Sequence, residues 1–92
     1  MAIVTLRYWA AAKEAAGTSE ETIRAGTLAE ALSAARGKLE GSEDAGQAPR
    51  LRAVLARSSF LIDGMPVGSR APEAVTLGDA AVIEVLPPFA GG

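Results

Sequence analysis

The chain has 92 residues, 49% of them hydrophobic, and a formal net charge of −2. That length is one domain, and such a domain buries only about 60–65% of the surface its unfolded chain exposes, so its core is thin and leaves little room for a deep catalytic pocket. Cysteine and histidine are absent, which excludes disulfides, thiol catalysis, imidazole acid–base chemistry and the usual zinc sites, and the nine scattered Lys and Arg residues argue against a nucleic-acid binder.

Residues 2–9 read as a first strand, because β-branched and aromatic residues dominate, although odd and even positions both carry apolar side chains and leave the core face open. Met1 to Leu6 carries no charged region followed by a long apolar stretch, and no run approaches the roughly 18 apolar residues of a membrane span. The protein therefore reads as soluble and cytoplasmic, with no membrane partner. Ala10 to Ala16 predicts a short helical turn ended by Gly17, and Thr18 to Arg24 a second strand. Together they predict an N-terminal hairpin with an elaborated loop.

The clearest helix starts at Thr27, where Thr27 and Glu30 have capping-box spacing. Leu28, Ala31, Leu32, Ala35 and Leu39 follow on one stripe, Arg36 and Lys38 are expected in the last turn where cations suit the dipole, and Gly41 is placed to cap it. Residues 41–48 are polar and glycine-rich and read as a surface loop, after which Pro49 opens a short helix with Leu51, Val54 and Leu55 on one side. Ser59 to Asp63 reads as a strand, Asp63-Gly64 as a hairpin turn and Met65 to Val67 as a short return. Ala71 to Leu77 is a connection, Gly78-Asp79 a turn, and Ala81 to Leu86 the final strand, ended by Pro87-Pro88. The order predicts an α+β domain over residues 1–86, a sheet of four to five strands with one main helix on one face, and a projecting tail over residues 87–92. This is the plan of the ubiquitin-like β-grasp, in which the first and last strands lie side by side and parallel.

The tail is the most informative segment. Gly91 and Gly92 have no Cβ, so the chain end can be threaded through a narrow channel. A terminal carboxylate can attack the α-phosphate of ATP, and sulfur can then attack the resulting acyl-adenylate to give a thiocarboxylate. Context lifts the two glycines above a frayed end: they follow a predicted strand, a diproline and one aromatic with no linker, and the diproline stiffens the tail's base.

Gly78-Asp79, then Val82, Ile83, Glu84, Val85, Leu86, Pro87, Pro88, Phe89, Ala90, Gly91 and Gly92, resembles the C-terminal signature of the molybdopterin synthase small subunit family. Leu6 to Trp9, the alanine-rich turn with Lys13-Glu14 and Ala16-Gly17, and the Asp63-Gly64 hairpin extend the resemblance over the chain. It implies a sulfur carrier that serves as a cosubstrate rather than a catalyst. A ubiquitin-activating-type enzyme would adenylate Gly92 and load it as a thiocarboxylate. The tail, with Pro87, Pro88, Phe89, Ala90 and Gly91 as its partner-binding segment, would then enter the large subunit of molybdopterin synthase. No phosphate-binding glycine-rich loop is present, so ATP would be held by the activating partner and no cofactor by the chain itself.

Other residues read more simply. Phe89 is equally an anchor for a partner groove or a plug at the sheet edge, whereas Phe60 and Leu86 read as core. Arg7, Arg57 and Arg70 read as solvated surface, Asp63 and Asp79 as turn residues, and metal roles for these and Glu84 have little to support them. Sulfur carriers for thiamine or cysteine synthesis, a ubiquitin-like modifier and a plain interaction module remain alternatives, because fold does not dictate function.

Overall fold

A computed structural model describes residues 2–88 of the chain. Strand β1 (Ala2–Tyr8) leads into helix α1 (Ala10–Ala16) and strand β2 (Glu20–Ala25). Helix α2 (Leu28–Glu40), helix α3 (Ala48–Arg57) and strands β3 (Ser59–Ile62), β4 (Met65–Pro66) and β5 (Val82–Leu86) complete the order. The strands form one five-stranded sheet in the order β2-β1-β5-β3-β4. β1 and β5 are parallel at its centre, in the register Thr5–Val82 through Tyr8–Val85, and the other pairings are antiparallel.

The core face of β1, open in the sequence, belongs to the even positions: Ala2, Val4, Leu6 and Tyr8 are buried while Ile3, Arg7 and Trp9 are exposed. Strand geometry turns successive side chains to opposite faces, so pairing with Ile83 and Val85 on β5 places all these buried side chains on one side. The predicted stripe of α2, from Leu28 to Leu39, is buried against that side, joined by Leu51, Val54 and Leu55 of α3. The capping box closes as expected. The Glu30 N–H donates to Thr27 Oγ1 at 3.2 Å, and Glu30 Oε1 accepts from the N–H groups of Thr27 (3.1 Å) and Gly26 (2.7 Å).

Turns carry the predicted chemistry. Gly17 ends α1 at φ 78°, and Asp63-Gly64, at φ 51° and 83°, takes the doubly left-handed turn that matches strand twist. Asp63 Oδ1 also accepts from the Val82 N–H at 3.0 Å, and Asp79 Oδ1 from the Ile3 N–H at 3.3 Å, so both carboxylates tie turns to strands.

Strand ends shift by one or two residues from the sequence reading, and three differences have a physical reason. β2 begins at Glu20 rather than Thr18, because Thr18 is used in the turn, where its Oγ1 donates to the Glu20 carbonyl at 3.0 Å. The segment read as a loop over 41–48 contains a 3₁₀ turn at Ala45–Gln47, and its last residue, Ala48, is buried at the start of α3. Only Lys38 is a cation in the last turn of α2, Arg36 lying just before that turn, and Lys38 reaches outward instead of back along its helix.

That reach protects an edge. The even residues of β2 turn their backbone groups away from β1, because the odd ones form the ladder. Of the outward carbonyls, Glu20 is covered by Thr18 Oγ1 at 3.0 Å and Thr22 by Lys38 Nζ at 3.2 Å. An uncovered edge strand is a template for pairing with another chain. Lys38→Met is expected to make the protein self-associate at lower concentration than the parent, as read by sedimentation equilibrium. An unchanged association constant would show that Lys38 does not guard the edge.

Candidate functional site

Because β1 and β5 run parallel, their C-terminal ends lie together, and the two features of interest meet there. The Trp9 N–H extends the ladder past β1 by donating to the Val85 carbonyl at 3.3 Å. One residue after β5, Pro87 and Pro88 offer no N–H, so pairing stops, with Pro87 half-buried and Pro88 exposed. The chain therefore leaves the sheet beside Trp9. The remaining site residues named from the sequence, Phe89, Ala90, Gly91 and Gly92, lie outside the described residues.

The face of the sheet away from the helices is open among the described residues. The strand registers bring Arg7 beside Glu84 on one flank and Glu20 on the other, and set Leu61 beside Glu84 and Ser59 beside Leu86. The Arg7 guanidinium stands 5.4 Å from the centroid of the Trp9 ring, and its Nε is 3.8 Å from Glu20 Oε2. An exposed ion pair of this kind adds little stability, so the arrangement does more to orient the Trp9 ring than to hold the fold. Ile3 on β1 and Trp9 just past its end are each 44% exposed, and Val82, Leu61 and Leu86 are half-buried on the same face. The result is an apolar surface around a compensated Arg–Glu centre, with Pro87-Pro88 at its end. Such a surface suits docking.

Leu86 corrects the sequence reading. It was expected in the core, but β5 buries Ile83 and Val85, and the two-residue period turns Leu86 outward with Val82 and Glu84. Phe60 packs against the core as expected. Arg70 is a local brace, donating from Nε to the Val67 carbonyl at 3.0 Å and from Nη2 to the Pro66 carbonyl at 3.4 Å, while Arg7 is the one of the three named arginines that belongs to this face. The sequence reading gave Trp9 no functional role. Its signal was present: an aromatic at the strand's end in the parity of Ile3 and Arg7, opposite to that of Val4, Leu6 and Tyr8.

No protein-family model and no curated protein matches the chain. Solved structures do. Small archaeal modifier protein 1 (SAMP1) from Methanosarcina acetivorans superposes with a TM-score of 0.77 at 24% identity, over 100% of this chain and 98% of that one. The putative molybdopterin converting factor subunit 1 from Pyrococcus furiosus does so at 0.70 and 17%, over 97% and 100%. A complex of subunits 1 and 2 of molybdopterin-converting factor from Helicobacter pylori contains a third, at 0.62 and 23%, over 98% and 99%. The fold is the ubiquitin-like β-grasp. Identities this low establish the β-grasp architecture and not, by themselves, what this β-grasp does.

Beneath the open face, Tyr8 is buried at 2% exposure, and its hydroxyl donates to Glu21 Oε2 at 2.7 Å. Burial first, and the Glu21 carboxylate second, push the phenol well above its ordinary value of 10.0. The unfolded chain releases this proton near pH 10 and the folded one does not, so folding stability is expected to fall above about pH 10, by up to ~1.4 kcal/mol per pH unit. Tyr8 is the single tyrosine. Absorbance at 295 nm during an alkaline titration should therefore show phenolate appearing only as the protein unfolds, whereas ionisation within the folded state near pH 10 would contradict the burial argument.

Proposed function

We propose that this β-grasp is a sulfur carrier whose Gly92 carboxyl is adenylated and converted to a thiocarboxylate, with molybdopterin synthesis as the acceptor pathway. The observation that supports the reading is that the central strand β5 ends at Pro87-Pro88 beside an open, partly apolar sheet face, with Phe89, Ala90, Gly91 and Gly92 following in the sequence. The fold it shares with a modifier protein and with molybdopterin-converting factor subunits supports the same reading. In this proposal the open face seats two partners in turn, an adenylating enzyme of the ubiquitin-activating type that holds ATP and a large synthase subunit. Gly92 carries the sulfur, Gly91 leaves room around the carbonyl, and Pro87 and Pro88 limit the conformational entropy lost when the tail docks.

The test is the intact mass of the protein after incubation with ATP, an activating enzyme of this class and a sulfur source. A gain equal to replacing one oxygen by sulfur, on Gly92 and missing from a chain lacking Gly91-Gly92, supports the carrier role. Transfer of that sulfur to a cyclic pterin phosphate, rather than to thiazole or cysteine acceptors, selects the pathway. No mass change in a folded protein overturns the reading in favour of an interaction module.

The docking face has its own readout. A desolvated tryptophan at an interface centre typically contributes about 2 kcal/mol or more. Trp9→Ala is expected to weaken binding to the activating enzyme by roughly 30-fold, while thermal stability changes little because the side chain is half-exposed. Unchanged affinity by calorimetry would remove Trp9 from the docking face.

A further inference from the structure

Resting on the carrier reading, we propose that Lys13 is the amine through which one copy of this chain is acylated by Gly92 of a second copy, forming an isopeptide-linked dimer. Among the nine basic residues only Lys13 and Lys38 are lysines. The other seven are arginines, whose delocalised, permanently charged guanidinium is no acyl acceptor. Activated Gly92 therefore meets two side-chain amines on this protein, and the structure treats them differently.

Lys38 is occupied. Its Nζ donates to the Thr22 carbonyl at 3.2 Å and lies 3.7 Å from the Glu21 carboxylate, so withdrawing it uncovers the β2 edge. Lys13 is exposed in the last turn of α1 and has no hydrogen bond or ion pair from its side chain among the described residues. It borders a broad, open groove with Trp9, Ala10, Ala11, Gly17 and Thr18. The one carboxylate on that groove, Glu14, is paired with Arg50 at 3.3 Å, so it neither holds Lys13 nor presents an uncompensated charge to an incoming acyl group.

The occupant that fits is the Ala90-Gly91-Gly92 end of a second copy. Besides Trp9, Lys13 and Glu14 the groove is lined by the small residues Ala10, Ala11, Gly17 and Thr18, and that chain end brings no large side chain to clash with them. Residues 89–92 span at most about 14 Å when extended, so the donor's folded body stays close to the acceptor and can rest on the exposed Trp9. The activating enzyme converts the Gly92 carboxylate and ATP to the acyl-adenylate and pyrophosphate. The neutral Lys13 Nζ then attacks the carbonyl carbon, a C–N bond forms, the C–O bond to AMP breaks, and the amine's proton goes to solvent. No oxidant or reductant is involved, and the reaction draws on the same adenylate as sulfur loading.

The experiment incubates the full chain with ATP and a ubiquitin-activating-type enzyme, with and without a sulfur source. Without sulfur, a species of twice the chain mass less one water is expected, with the branch located at Lys13 by tandem mass spectrometry of the tryptic peptide that carries Ala71–Gly92 on that side chain. Lys13→Arg should lower its yield at least tenfold, Lys38→Arg should not, and both variants should still form the thiocarboxylate when sulfur is supplied. Linkage at Lys38 or the N-terminal amine, a single chain cyclised with loss of water, or no conjugate from a protein that does form the thiocarboxylate each overturns the proposal. Absence of both products overturns the carrier reading and this inference with it.

Discussion

The parallel pairing of β1 with β5 is the constraint on which the rest of this structure depends. Parallel neighbours cannot be joined by a tight turn, so everything between Trp9 and Ala81 becomes one long connection that must travel back along the sheet. The helices needed to cover the buried face lie in that connection. The same pairing brings the first strand's end and the last strand's end together, which is why Trp9 and Pro87-Pro88 are neighbours although 78 positions of chain separate residue 9 from residue 87.

From that centre the two faces of the sheet divide the work. One face buries the even positions of β1 together with Ile83 and Val85 under α2 and α3, and with so short a chain this single layer is the whole core. The other face holds Ile3, Trp9, Leu61, Val82 and Leu86 around Arg7 and its two flanking glutamates. Its apolar residues contribute little to folding where they stand. Under the proposed carrier function a partner surface would cover them, next to Pro87-Pro88 at one end of the same face.

The margins of the sheet show complementary restraint. β4 is two residues long and ends in a proline, which blunts one edge, while Thr18 and Lys38 cover carbonyls along the other. If the open face docks a partner as proposed, blocked edges keep strand addition from competing with it. Lys38 thereby differs from Lys13 in kind, one amine engaged in holding the fold closed and the other facing solvent.

Much of this could be read from residue order, and the reason is that the relevant physics is local. The Thr27–Glu30 cap, the Leu28-to-Leu39 stripe, the Asp63-Gly64 turn and the stop at Pro87-Pro88 each depend on atoms a few residues apart, so each is present in the sequence as a pattern. Gly91-Gly92 is a local pattern of the same kind, a statement about side chains that are missing, and it lies outside the described residues. The orientation of β1 was not, because Ile3, Val4, Leu6, Tyr8 and Trp9 offer apolar groups to both sides, and only pairing with β5 and β2 selects between them. Leu86 was misread on the same account: hydrophobicity alone sends it inward, and the register opposite Ser59 turns it out. The role of Lys38, the pairing of Glu14 with Arg50 and the meeting of Trp9 with the tail's base join residues far apart in the chain. Such contacts are consequences of the assembled sheet, and no local pattern encodes them.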